Sequence, residues 1–511
     1  MVTFLLAILP IIFLVVALSG LKMTGYKACV IAMVITIVEA LFIWKQGLID
    51  VATGALEGFV MAIWPICLVI IAAVFTYNLV VHTKNMEVIK KMLASVSTDK
   101  RILVLIIAWG FGGFMEAMAG FGTAVAIPAG ILVGLGFEPI FAAMVCLVAN
   151  TTPVAFGSIG IPTVTAAKVA GIANAQQLAS DIVAQQAIMI ILVPFLIVYM
   201  VGKHEGYKGL KMFNGVWLIT LIAGFGFLIP EYLVAEYMGA ELPAIIGSVV
   251  CVGLVMFATK IFKTKNKDFS LDIEQSDKID MHECVIAWSP FILVLIFLVF
   301  TSSIVPFIHD PLASIKTSIQ IYTGPGAKPY TFVWLATPGV LIIIAAVIGG
   351  FIQKCPFSEI ISVFIKTVKQ MVKTVITIMA VLAMAKIMGY SGMTQTIADF
   401  IVSITGHFYP LVAPLIGSIG TFVTGSATSS SVLFAKLQSS TAEVLNMNPA
   451  WMVAANTAGS TAGKIISPQS IAVATASAGI VGTESKILVG VVKYYVIFIV
   501  VFGLVTYFGV V

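Results

Sequence analysis

Long apolar runs separated by short polar turns fill this chain from one end to the other. A helical crossing of a bilayer needs about 20 apolar residues. Runs over 2–21, 26–44, 58–81, 214–238, 241–262, 284–306, 331–353 and 374–390 are close to that length. They are continuously apolar, not alternating with period 2, which argues against a membrane β-barrel. The pattern predicts an all-α polytopic integral membrane protein with about 12–14 membrane segments. The first run has no basic leader and reads as a retained helix, not a cleaved signal.

Composition sharpens this picture. Of 511 residues, 60% are hydrophobic and 10% charged, and the mean hydropathy is +1.11. Soluble domains run nearer a quarter charged, so a soluble globular protein is excluded. The net charge of +5 lies mostly in loops, where it reports topology and not nucleic-acid binding. Four basic clusters, Lys84 to Arg101, Lys203 to Lys211, Lys260 to Lys267 and Lys354 to Lys373, are expected on the cytoplasmic side. The loop from Phe307 to Tyr330, poor in charge, is expected outside, and the crossings between then place the N-terminus outside. The mixed-charge stretch 263–283 reads as a cytoplasmic linker between a first half, 1–262, and a second half, 284–511.

The halves share a motif. Asn150-Thr151, Gly157 and Pro162 recur as Asn456-Thr457, Gly463 and Pro468, an offset of 306 residues. Upstream, Gly120-Phe121-Gly122-Thr123 is matched by Gly425-Ser426-Ala427-Thr428. Motif regions 113–162 and 420–470 therefore predict an internal duplication. The crossings between them place the copies in opposite senses, as two inverted repeats with broken helices or re-entrant hairpins. That plan recurs in secondary transporters, and paired interruptions mark the binding site. Lipid offers no hydrogen-bond partners, so polar breaks survive only inside protein or along a water-filled cavity. Helix N-termini exposed there favour an anion. Close helix packing through small residues is the plainer reading; it is sufficient for Gly130 and Gly134 and extends to the Gly417 to Gly420 stretch.

Ionisable residues in apolar runs are candidates for function. Lys464 can neutralise a substrate carboxylate, or pair structurally with an acid on another helix. Glu116 lies nearest the first motif and can carry a proton, or serve as a lysine's partner, Lys464 included. Glu39 is a second proton candidate. Lys168, Lys386 and Lys436 can equally snorkel to an interface. The single arginine, Arg101, sits at a loop edge, so no guanidinium clamp is available at mid-membrane, which suits a small monoanion. The expected lining of the site is Asn150, Thr151, Gly122, Thr123, Thr428, Ser429, Ser430, Asn456, Thr457, Lys464, Ser467 and Gln469. An enzyme is not expected. His204-Glu205 and His282-Glu283 lack the second histidine of H-E-x-x-H, and Gly459 to Lys464 is a residue short of a P-loop. The six cysteines are scattered singly, and neither a metal nor a cofactor is predicted. No ion-filter sequence supports a channel.

The stretches EAMAGFGTAVAIPAGILVGLGFEP, ANTTPVAFGSIGIP, GSATSSSVLFAKLQ and VAANTAGSTAGKIISPQSIAVA resemble the bacterial lactate permease family, over nearly the whole chain. The resemblance implies proton-coupled import of lactate, glycolate or a related 2-hydroxymonocarboxylate across the bacterial cytoplasmic membrane. The alternatives are sodium-coupled transport of another small organic anion, or an anion channel. The Asn-Thr motifs are also similar to those of a wider ion-transporter superfamily. That likeness implies inverted repeats, a motif-bearing unit moving against a scaffold that includes 26–44 and 214–262, and assembly as a homodimer. Two departures stand out: Ala427 where the family carries an acid, and Gln185 where it tends to carry arginine.

Overall fold

The computed structural model describes residues 2–17, 21, 23–120, 122–262, 267–271, 280–302, 304–480 and 482–510. Phe121 and most of the mixed-charge linker, 263–266 and 272–279, lie outside the described residues. Ten described helices are long and apolar enough to cross a membrane, among them Gly25–Phe42, Leu48–His82, Ala175–His204 and Phe357–Ser391. A bent pair, Pro139–Ala149 with Thr152–Ala170, makes up to eleven. Three shorter apolar helices, Thr3–Leu14, Thr123–Gly134 and Pro338–Ile352, account for the remaining runs. The protein is thus a multi-pass helical membrane protein, with the expected segment count reached only when short helices are included. At about 1.5 Å per residue, Thr123–Gly134 is only about 18 Å long. That is too short to cross a hydrocarbon core of about 30 Å.

The long loop expected outside is not wholly irregular. Lys316–Ile319 and Tyr330–Val333 pair antiparallel, with Lys316 opposite Val333. Two four-residue strands are too short to disturb the apolar pattern of the chain.

Contacts tie the loops of the four basic clusters together, while Lys373 lies further along Phe357–Ser391. Lys100 pairs with Glu205 at 2.7 Å, joining the first and second. His82 bonds Glu359 at 2.8 Å and Thr83 bonds Gln353 at 2.6 Å, joining the first and fourth. Residues 267–271 of the linker join the third. Leu271 N donates to Thr98 O at 2.9 Å, and Asp99 bridges Ser270. Arg101 fastens this junction. Its fully buried guanidinium takes both Asp99 oxygens, donates to the Met212 and Asn214 carbonyls, and lies 3.9 Å over the Phe269 ring. Asp99→Ala would strand that buried cation, a loss of about 3–5 kcal/mol. A lowered thermal midpoint of the purified protein checks this.

Small residues pack the second half. A Cβ on Gly459 would fall on the Pro414 carbonyl, and Cβ atoms on Gly463 and Gly417 would meet the Ser418 and Asn456 carbonyls. Tyr409–Thr424 and Pro449–Ile466 therefore touch backbone to backbone. By contrast, a Cβ on Gly134 meets nothing within 4 Å, and one on Gly130 only a carbonyl at 3.9 Å. The close-packing reading holds at Gly417, extends to Gly459 and Gly463, and does not hold at Gly130 and Gly134.

Candidate functional site

Two helical hairpins and two interrupted helices converge on one cavity. The first hairpin enters as Lys100–Met118, wholly buried, and turns through Gly120 (φ 62°) and Gly122 (φ 86°). It returns as Thr123–Gly134. Glycine is required at Gly120 because the backbone is left-handed and a Cβ would strike the Ser158 hydroxyl. Thr123 Oγ1 ties the turn by donating to Gly120 O at 2.7 Å. The second hairpin enters as Tyr409–Thr424, turns at Gly425 (φ 71°), and returns as Ala427–Val444. Ser426 caps the return helix by accepting from Ser429 N at 3.2 Å.

Each hairpin is followed by a helix that begins with the same device, a capping side chain followed by proline. Glu138 accepts from Ile140 N and Phe141 N ahead of Pro139–Ala149. Asn448 accepts from Ala450 N and Trp451 N ahead of Pro449–Ile466. The interruptions then differ. The first helix breaks at Asn150-Thr151, continues as a 3-10 turn over Thr152–Phe156, and bends by 55°. Ser158, Ile159 and Gly160 follow with φ of 47°, 60° and 73°, three consecutive left-handed residues. Ser158 Oγ donates to Ala119 O at 2.9 Å, which fixes this turn to the first hairpin tip. The second helix runs unbroken through Asn456-Thr457 and stops only at Ser467, before Pro468–Ser477.

Proline placement explains the difference. Pro153 follows Asn150-Thr151-Thr152 immediately, whereas Ala458-Gly459 occupies the matching place in the second half. Without a proline the helix keeps its hydrogen bonds until Pro468. Asn456 therefore lies 11 residues before its break, about 16 Å away at 1.5 Å per residue.

The cavity has a volume of about 410 Å³. Of the expected lining, Gly122, Thr428, Ser429, Lys464 and Gln469 face it, as does the proton candidate Glu116. The other expected residues do not line it. Asn150 stands behind Glu116. Thr151 Oγ1 donates to Val148 O at 2.7 Å, and Ser430 Oγ clamps the second hairpin through Gly417 O at 2.6 Å. Thr123 is spent on its turn. Ser467 is fully buried, and its hydroxyl has no partner among the described residues. Asn456 and Thr457 do not line the cavity. Asn456 Oδ1 accepts from Gln438 at 3.4 Å in a buried network with Tyr409, and Thr457 donates to Val453 O. The expectation that Asn150 and Asn456 share one cradle is thus corrected.

The charged centre of the cavity is a buried ion pair. Lys464 Nζ donates to Glu116 Oε1 at 3.0 Å, and Asn150 Nδ2 donates to Glu116 Oε2 at 2.9 Å. The Lys464 side chain is 12% exposed and that of Glu116 3%. Both line the cavity, and lysine is the more exposed partner. Lys373 also lines it, with its ammonium 5.9 Å from the Tyr26 ring. The N-terminal residues of Ala427–Val444 and Pro468–Ser477 face the same space, as does Gly122 ahead of Thr123–Gly134. Three partial positive helix ends and two ammonium groups stand against one carboxylate, so the cavity favours one added negative charge.

Ser158, Ser470, Lys373, Thr374 and Thr377 were missed in the sequence. The last three face the cavity from Phe357–Ser391. Lys373 and Thr377, spaced i, i+4, carried the signal, which the basic-cluster reading of Lys373 obscured. Glu39 lies outside the cavity, buried, with both oxygens unpartnered among the described residues. Lys386 does not snorkel: it donates to buried Glu57 at 2.7 Å, which also accepts from Tyr390 at 2.9 Å. Lys168 shares a second cavity, of about 330 Å³, with Glu241 and His309. Ala427 faces the main cavity, while Gln185 donates to Trp451 O at 2.8 Å, in other surroundings.

Comparison with known proteins places these features. The family profile described as L-lactate permease matches residues 3–511. The chain is 47% identical over 449 residues to an L-lactate permease of Streptococcus iniae, covering 88% of this chain and 93% of that protein. It is 35% identical to the glycolate permease GlcA of Escherichia coli K12, covering 98% and 94%. It is 36% identical to the L-lactate permease of the same strain, covering 98% and 95%. Among solved structures, the fold is similar to the YdaH transporter of Alcanivorax borkumensis (TM-score 0.50, 14% identity, 89% and 86% covered). It is also similar to MtrF of Neisseria gonorrhoeae (TM-score 0.53, 15% identity, 94% and 95% covered).

Proposed function

The chain belongs to the L-lactate permease family, and on that premise we propose that this bacterial membrane transporter couples entry of one lactate or glycolate to one proton. The observation that carries the proposal is the Lys464–Glu116 pair, neutral as a unit and set at the edge of the cavity. A substrate carboxylate reaching Lys464 competes with Glu116 for the same ammonium, and two carboxylates at one site repel. A proton on Glu116 removes that competition and frees Lys464 for the substrate. Substrate and proton then load together and leave together.

Asn150 suits both states. Its amide nitrogen donates to the carboxylate, while its Oδ1 is buried without a partner among the described residues. Rotation of the amide presents that oxygen to the hydroxyl of a protonated Glu116. Thr428, Ser429 and Gln469 supply hydroxyl and amide groups for the substrate's 2-hydroxyl and second carboxylate oxygen.

The two hairpins and interrupted helices act as an inverted pair and move as a unit against a scaffold that includes 25–42 and 217–261. The basic end faces the cytoplasm, which sets the N-terminus outside, in the inner membrane. Fusing hairpin tips from both halves onto one substrate lets the site open to either side in turn.

Proteoliposomes test the reading. With an inward pH gradient and no sodium, lactate and glycolate are expected to accumulate above equilibrium, and succinate not. Accumulation driven only by an inward sodium gradient would establish sodium coupling instead. Equilibration without accumulation would establish a channel.

A further inference from the structure

At the basic end, away from the cavity, three side chains of metal-binding type meet across two helix termini. His82 lies in the last turn of Leu68–His82, and Glu359 in the first turn of Phe357–Ser391. Cys355 belongs to the turn between Pro338–Ile352 and that helix. His82 Nε2 is 2.8 Å from Glu359 Oε2, and Cys355 Sγ is 4.0 Å from the same oxygen. One ligand atom from each lies within 4.8 Å of the others.

We infer that His82, Cys355 and Glu359 form a binding site for one divalent transition-metal ion of the zinc class, with water as the fourth ligand. The donor set carries the chemistry: one imidazole nitrogen, one thiolate and one carboxylate oxygen are ligands zinc accepts together. The spacing agrees. Metal–ligand distances of about 2.0–2.3 Å in a tetrahedron set ligand atoms roughly 3.3–3.8 Å apart. The Cys355–Glu359 separation is already near that range, and the His82–Glu359 contact needs to open by about half an ångström.

The frame around the ligands is built to hold them. Thr83, next to His82, donates to Gln353 at 2.6 Å, and Gln353 in turn donates to the Ala287 carbonyl at 3.0 Å. Cys355 N donates to Gly350 O at 2.9 Å, and the left-handed Lys354 (φ 59°) turns the chain so that Cys355 points at Glu359. As an ion pair alone, His82–Glu359 would contribute little, because the two side chains are 39% and 53% exposed. That pair does not account for a cysteine held beside it. Sequence spacing hides the site, since His82 is far from the Cys355-x-x-x-Glu359 segment and the lone cysteine reads as a small hydrophobe.

The test uses tag-free, full-length protein in detergent or nanodiscs. Cobalt(II) titration is expected to give one saturable site per chain with a thiolate-to-cobalt charge-transfer band, and zinc is expected to displace the cobalt. Cys355→Ser should abolish the band, and His82→Ala should weaken binding at least tenfold. Both variants should retain the metal-free thermal midpoint of the parent. A titration without that band, or a band that survives Cys355→Ser, would overturn the site and leave an ion pair only. Unchanged affinity in His82→Ala would overturn it equally.

Discussion

Lys464→Ala is expected to lower proton-driven lactate uptake at least 100-fold, about 2.7 kcal/mol at 1.36 kcal/mol per tenfold. The alanine leaves Glu116 buried against Asn150 alone and removes the cation that receives the substrate carboxylate. Breaking a buried pair from one side costs about 3–5 kcal/mol, because the remaining charge is uncompensated. Lys464→Arg is not expected to rescue uptake, since a planar guanidinium cannot replace a compact ammonium in the same space. The double variant Lys464→Ala/Glu116→Gln should recover thermal stability without recovering transport, which separates folding from function. Asn456→Ala should change the Michaelis constant for lactate less than threefold, because Asn456 serves the Tyr409–Gln438 network. Initial-rate uptake in proteoliposomes measures all four variants.

Gly459→Leu is expected to remove folded protein altogether. Its Cβ would occupy the position of the Pro414 carbonyl, where neither backbone can give way. Overpacking even a tolerant core costs about 1–3 kcal/mol, and here the obstacle is main chain. Gly134→Leu is the matched control, because a Cβ there meets open space. Its expression and uptake should stay within twofold of the parent. Size-exclusion profiles of solubilised protein separate the two outcomes.

The apolar pattern carried the fold class because lipid imposes one requirement on every spanning segment: backbone groups must be bonded within the helix. The same requirement made the polar interruptions visible. Gly122, Thr428, Ser429, Lys464 and Gln469, which face the cavity, are legible because each lies at or beside a break in an apolar run. Glu116 was legible as an acid in an apolar run, and its partner Lys464 as the nearest intramembrane base.

Two kinds of residue were misread. Asn456 and Thr457 repeat the letters of the first motif but not its geometry, because the proline that breaks the first helix is absent from the second. The absence of a counterpart to Pro153 is visible in the sequence, where Gly459 stands at the matching position. Lys373, Thr374 and Thr377 were hidden for a different reason. They belong to a regular helix, and only tertiary packing turns that face toward the cavity. Gly459 and Gly463 show the same limit. Their neighbours are Pro414 and Ser418, and no local pattern announces which helix will lie against them.

Coupling requires Glu116 to take a proton when Lys464 turns to the substrate. The direct measurement is lactate transport by Glu116→Gln, with counterflow and pH-gradient-driven accumulation recorded in the same proteoliposomes. The amide keeps the shape and the Asn150 contact but cannot cycle a proton. Counterflow within tenfold of the parent, together with no accumulation above equilibrium, is the predicted result. Full accumulation by Glu116→Gln under an inward pH gradient would contradict it.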